Sequence, residues 1–167
     1  MAHDSMTVVG SPAEALVHLL RSREASVAVA ESLTGGQLAA RVTNVPGSSA
    51  VFAGGVVSYQ TQVKVDVLGV PQDVVDGDGV VSAACACAMA EGVRRLLGTT
   101  YALSTTGVAG PDEQEGKPVG TVYVGLAGPD DARAVALELS GDRAAIQSAT
   151  VDAALAELTA VLSPQSR

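Results

Sequence analysis

Ser26-Val27-Ala28-Val29-Ala30-Glu31-Ser32-Leu33-Thr34-Gly35-Gly36, running on into Gln37-Leu38-Ala39-Ala40-Arg41-Val42-Thr43-Asn44, is the stretch on which the fold turns. Residues 26–31 are short, apolar and valine-rich, and read as a buried strand. Thr34 to Asn44 reads as a helix, opened by Thr-Gly-Gly and broken by Pro46. A buried strand feeding a helix through paired glycines is the opening unit of a layered α/β domain.

The flanking sequence repeats that alternation. Residues 12–23 carry Ala15, Leu16, Leu19 and Leu20 at helical spacing, with Pro12 at the first helical position. Gly54 to Tyr59 reads as a second strand. Residues 82–97 read as a long Ala-rich helix, capped by Ser82 and closed by Gly98. Tyr101 to Thr106 reads as a third strand. Val119–Ala127 and Ala132–Leu139 are strands joined through Gly-Pro-Asp-Asp, which implies an antiparallel pair. A last helix is expected from about Asp142 to Leu162. The sheet is therefore mixed, and ligands of such sheets bind where strand ends meet helix starts.

The 167 residues, 47% of them hydrophobic, fit one domain, taken as 1–167 with its motifs between about 27 and 158. Phe52, Tyr59, Tyr101 and Tyr123 are the whole aromatic set, so the core is aliphatic and a base-stacking platform is excluded. A formal charge of −8 with scattered basic residues argues against a nucleic-acid binder. No run is read as long and apolar enough to span a bilayer, and the N-terminus lacks a signal pattern. Cys85 and Cys87, two residues apart on a helix, point different ways and are expected as small core residues. These features point to a soluble cytoplasmic protein.

Four segments carry chemistry. Ala30 to Gly36 offers free helix-start N–H groups and hydroxyls to an anion; the same residues also make an N-cap and a tight turn. Pro46-Gly47-Ser48-Ser49 places twin serines after a turn, as caps or as reactive hydroxyls. Thr105-Thr106-Gly107-Val108-Ala109-Gly110-Pro111-Asp112, followed by Lys117-Pro118-Val119-Gly120-Thr121, is a glycine- and hydroxyl-rich loop suited to facing a ligand. Ser140-Gly141-Asp142-Arg143 starts the last helix, with Asp142 as its cap and Arg143 free to hold a phosphate or carboxylate.

His3 and His18 are the only histidines, and neither neighbours a motif, so a Ser-His-Asp triad is hard to assemble. Lys64 and Lys117 are the only lysines. A lysine made neutral by burial is the natural base for a serine nucleophile here.

In order and spacing these segments resemble the C-terminal domain family of CinA, which also occurs alone as nicotinamide-nucleotide amidase. The resemblance runs from about Val27 to Leu158. It rests on AESLTGG (30–36), PGSSAVFAGGVVSY (46–59), Lys64 with LGV (68–70), GVVS (79–82), MAEGV (89–93), TGVAGPD (106–112), KPVGTV (117–122) and SGDR (140–143). Three positions depart from the family pattern. Leu33 stands for its usual Cys, Val81 for its Ala, and GPDEQEG lacks the paired glycines that often follow GPD.

The resemblance implies a three-layer α/β/α sandwich with a mixed sheet of about five strands. It implies hydrolysis of nicotinamide mononucleotide to nicotinic acid mononucleotide and ammonia by a serine/lysine mechanism, with no metal and no cofactor. Lys64 is the expected base, and Ser49 and Ser32 are both candidates for the nucleophile, with Ser49 favoured. Tyr59 is expected to help position Lys64. Thr34, Gly35, Gly36, Ser48, Thr106, Gly107, Lys117 and Arg143 are the candidate substrate contacts. The partner is a mononucleotide, not nucleic acid or membrane, and the assembly a homodimer or larger. A catalytically inactive nucleotide-binding module and an interaction or competence-associated module are the rival expectations.

Overall fold

The computed structural model describes residues 10–165, so His3 lies outside the described residues. Six helices and five strands follow one another as α1 (Pro12–Ser22), β1 (Val27–Glu31), α2 (Gln37–Thr43), β2 (Phe52–Val57), α3 (Thr61–Asp66), α4 (Gln72–Gly77), α5 (Ala83–Leu97), β3 (Tyr101–Gly107), β4 (Thr121–Ala127), β5 (Ala132–Glu138) and α6 (Arg143–Leu162). A single 3-10 turn, Ser48–Ala50, precedes β2.

The strands form one open sheet in the order β2-β1-β3-β4-β5. β1 runs parallel to both β2 and β3, whereas β4 is antiparallel to β3 and β5. The mixed five-stranded sheet of the sequence expectation is therefore present, with helices on both faces. Alternation along β1 assigns the faces. Val27 and Val29 join Leu103, Val124 and Leu126 under α1, α2 and α6. Ala28 and Ala30 face α5, where Cys85, Met89, Ala90 and Val93 close the second layer. Burying side chains of this size stabilises the fold by roughly 1.5–3 kcal/mol each.

The helix ends follow local chemistry. Ser11 and Glu14 form a reciprocal capping box ahead of Pro12. Ser82 caps α5 by accepting the Cys85 N–H at 3.1 Å, and Asp142 caps α6 by accepting the Ala145 N–H at 2.9 Å. α2 begins three residues later than the sequence suggests. Gly35 and Gly36 take φ values of +54° and +103°, which make a tight turn instead of helix. α5 lies so close to the chain entering α4 that a Cβ on Gly92 would stand 1.9 Å from the Leu68 carbonyl oxygen. The short helices α3 and α4 were not expected; neither has a side-chain cap to announce it.

α6 modifies one reading of the sequence. Its 20 residues, with a mean hydropathy of 1.2 over the most apolar window, are long and apolar enough to cross a membrane by length and composition alone. Here Ile146, Val151, Ala154, Leu155, Leu158 and Leu162 go into the protein interior instead.

Candidate functional site

The parallel strands β1, β2 and β3 all end at one rim of the sheet, and there the chain opens into a cleft of about 390 Å³. That lies within the ~300–1,000 Å³ typical of small-molecule sites. Its walls come from the turn after β1 (Ser32, Leu33), the entry to α3 (Tyr59 to Thr61, and Lys64), Val80 and Val81, the end of β3 with its loop (Thr106 to Gly110), and Arg143.

Lys64 is the most unusual residue of the molecule, because its side chain is only 2% exposed. It points from α3 back under the ends of β1 and β2. Its Nζ lies 2.9 Å from Ser32 Oγ, 2.6 Å from the Ser58 carbonyl and 3.3 Å from the Tyr59 carbonyl. As an ammonium it donates to all three. As an amine it keeps two N–H bonds for the two carbonyls, which can only accept, and its lone pair faces the one neighbour able to donate, the Ser32 hydroxyl. Burial pulls the Lys64 amine below its ordinary value of 10.5, with Cys85 and Glu115 acting in the opposite sense. The Cys85 thiol behind it is pushed up to about 11, chiefly by burial.

Ser32 follows β1 directly and opens the turn to α2. Its N–H donates to the Thr105 carbonyl at 3.0 Å. Gln147 of α6 donates to the Leu33 carbonyl at 2.9 Å and fixes the next residue of the turn. Thr106 is held by donating to the Val80 carbonyl at 2.7 Å, which joins the β3 end to the Val80–Val81 wall. Arg143 bridges the mouth, donating to the Gly110 carbonyl and, at 2.9 Å, to the Tyr59 hydroxyl.

The geometry brings some of the candidate residues together and sets others apart. Ser49, favoured as the partner of Lys64, sits with Ser48 in the 3-10 turn at the other end of β2. The strand's six residues put it roughly 20 Å from the cleft at ~3.3 Å per residue. Within the chain, Ser32 and not Ser49 meets Lys64, and Ser48 lines no part of the cleft. Thr34, Gly35 and Gly36 also lie outside the cleft lining. The α2 N–H groups that the sequence offered to an anionic ligand are taken by the protein's own Glu31, whose carboxylate accepts from Leu38 at 2.8 Å and Ala39 at 3.1 Å. Tyr59 holds Lys64 through its backbone carbonyl, while its ring is 60% exposed at the mouth. Lys117 donates to the Val81 carbonyl and is not among the residues that line the cleft. Thr106, Gly107 and Arg143 do line the cleft.

Residues that the sequence reading passed over also matter here. Glu31 is 1% exposed and, by the alternation of β1, shares the face of Val27 and Val29. Ser58 and Asp112 fall within quoted motifs without having been singled out, and Gln60 and Thr61 lie outside those motifs.

The family model for the CinA C-terminal domain matches residues 10–162. The chain belongs to the CinA C-terminal domain family. A CinA-like protein of Frankia casuarinae is 56% identical over 137 residues, which cover 82% of this chain and 32% of the relative. Another CinA-like protein, from a Cyanothece strain, is 56% identical over 120 residues, covering 71% of this chain and 29% of its own length. The chain thus spans about a third of the length of these curated relatives. Among solved structures, a CinA superfamily protein of Klebsiella pneumoniae superposes with a TM-score of 0.88 at 30% identity, covering 90% of this chain and 95% of that one. A competence/damage inducible protein of Agrobacterium tumefaciens gives 0.84 at 32% identity, covering 95% and 100%. The CinA resemblance and the three-layer mixed-sheet fold expected from sequence both hold.

Proposed function

We propose that this CinA-family chain is an amidohydrolase that deamidates nicotinamide mononucleotide, using Ser32 as nucleophile and Lys64 as base. The observation that carries the reading is the buried Lys64 Nζ, placed between two carbonyls and the Ser32 hydroxyl at the floor of a cleft. A serine hydroxyl is a weak nucleophile until a neighbouring base takes its proton, and a desolvated lysine supplies that base.

The proposed steps use these positions. Ser32 Oγ attacks the carboxamide carbon while its proton passes to Lys64 Nζ. The resulting ammonium is held by the Ser58 and Tyr59 carbonyls. It returns its proton to the departing nitrogen, which leaves as ammonia with its carbon bond broken. Water then attacks the acyl-enzyme, giving a proton to Lys64. The Lys64 ammonium passes a proton to Ser32 Oγ as its bond to carbon breaks, and the product leaves as the acid, which ionises in solvent, with Ser32 and neutral Lys64 restored.

The tetrahedral oxygen needs donors. Leu33, Ala109 and Gly110 border the cleft, and their N–H groups have no acceptor among the described residues. One such donor contributes ~3–4 kcal/mol in comparable sites. Val80, Val81 and Val108 give the cleft apolar walls for the flat face of a pyridinium ring. Arg143 at the mouth suits the phosphate, since guanidinium pairs with phosphate in two parallel hydrogen bonds.

The test is ammonia release from nicotinamide mononucleotide in the presence of a metal chelator, by the wild type, Ser32→Ala and Ser49→Ala. Release by the wild type and Ser49→Ala, but not by Ser32→Ala, supports the proposal. A folded wild type that releases no ammonia refutes it.

A further inference from the structure

A carboxylate with no cation beside it among the described residues lies beneath the nucleophile's turn, and the proposed mechanism does not use it. Glu31 closes β1 immediately before Ser32, buried to 1% exposure. Donors alone meet its oxygens. The Thr34 hydroxyl donates to Oε1 at 2.6 Å, and the Leu38 and Ala39 N–H groups donate at 2.8 and 3.1 Å. The first of these contacts sets the direction of a chain of hydrogen bonds. Thr34 has one hydroxyl proton, and Glu31 takes it. The Thr34 and Thr105 oxygens are 2.7 Å apart, so the proton between them belongs to Thr105. Thr105 meets the Ser32 N–H twice, through its carbonyl at 3.0 Å and through Oγ1 at 3.4 Å. The backbone of the same glutamate reaches the other partner. The Glu31 carbonyl accepts from the Ser58 N–H at 2.8 Å, and the Ser58 carbonyl accepts from Lys64 at 2.6 Å.

We infer that Glu31 is a positioning residue for the Ser32–Lys64 pair, acting on Ser32 through Thr34 and Thr105. The inference rests on the amidase reading above. It assigns to the motif's glutamate the task of orienting the turn that presents Ser32, with no contact to substrate. Networks of this kind act as a unit, because reversing one hydroxyl reverses its neighbours.

The test uses Glu31→Gln, Thr105→Val, their double variant and Thr105→Ser. It reads kcat and KM for ammonia release, the urea midpoint, and the rate at which a sulfonyl fluoride labels Ser32, followed by intact mass with Ser32→Ala as blank. Both single variants should lose at least tenfold in kcat and in labelling rate, with KM unchanged. The double variant should be no worse than the worse single, and Thr105→Ser should recover most of the loss. Two results would overturn the inference: variants that unfold at lower urea yet keep wild-type kcat and labelling, or a double variant whose losses multiply. If the wild type is labelled but releases no ammonia, the substrate reading falls, and the labelling rates still decide the role of Glu31. If it is neither active nor labelled, both fall.

Discussion

Replacing Lys64 by methionine separates two consequences of burying an amine. The first is chemical. Loss of a general base costs ~10²–10⁴ in rate, or about 3–5 kcal/mol of transition-state stabilisation at ~1.4 kcal/mol per decade. The second is thermodynamic, and its sign follows from the lowered value of the buried amine. Between that folded value and the ordinary 10.5, the unfolded chain holds a proton that the folded chain has released. Stability therefore rises with pH across this window, by at most about 1.4 kcal/mol per pH unit for one proton. Below the folded value both states are protonated, and above 10.5 both are neutral, so this contribution is flat on either side. Methionine removes the titration while filling a similar volume. It also leaves the Ser58 and Tyr59 carbonyls without a donor, at ~1–3 kcal/mol each. That cost does not vary with pH, so the slope is the diagnostic quantity. Urea unfolding of wild type and Lys64→Met from pH 6 to about 11 yields the difference in stability at each pH. The difference should climb with pH toward 10.5 and then level off. Parallel curves over the whole range would show that Lys64 titrates as an ordinary surface lysine, and the argument for a neutral base would fail.

Arg143→Ala should raise KM for nicotinamide mononucleotide at least tenfold and change kcat little, since it removes a mouth contact and not the reacting pair; steady-state kinetics check this. Gly92→Ala should destabilise the protein by about 1–3 kcal/mol, because its Cβ would fall 1.9 Å from the Leu68 carbonyl oxygen; the urea midpoint reads it. Alkylation by iodoacetamide at pH 8 should modify Cys87 well before Cys85, whose buried thiol is pushed up to about 11. Peptide mass mapping gives the order.

The legible part of the fold was its rhythm. Val27 to Glu31, Tyr101 to Gly107 and the hairpin of β4 and β5 announce themselves through apolar runs and turn residues, and Ser82 and Asp142 mark their helices as caps. The α3 and α4 helices were not legible, being too short for periodicity and uncapped. At the site, Lys64 stood out because the chain has only two lysines. Its partner could not be read in the same way. Ser32 and Ser49 are both motif hydroxyls, and the choice between them depends on which end of the sheet each occupies, Ser32 after β1 and Ser49 before β2. That is a property of strand direction and length, which local sequence does not contain. The same limit hid Glu31: the turn after β1 carries every mark of an anion site except knowledge that an anion is already built into it.

That internal carboxylate gives the cleft a polarity. A glycine turn at a strand end usually attracts the charged end of a ligand, but here that attraction is already neutralised from within. An anionic group entering the cleft meets the Arg143 guanidinium at the mouth, while the α2 N–H groups beneath the turn are already taken by Glu31. On the amidase reading, a ligand whose phosphate is held at the mouth by Arg143 presents its opposite end, the carboxamide on a pyridinium ring, toward Ser32.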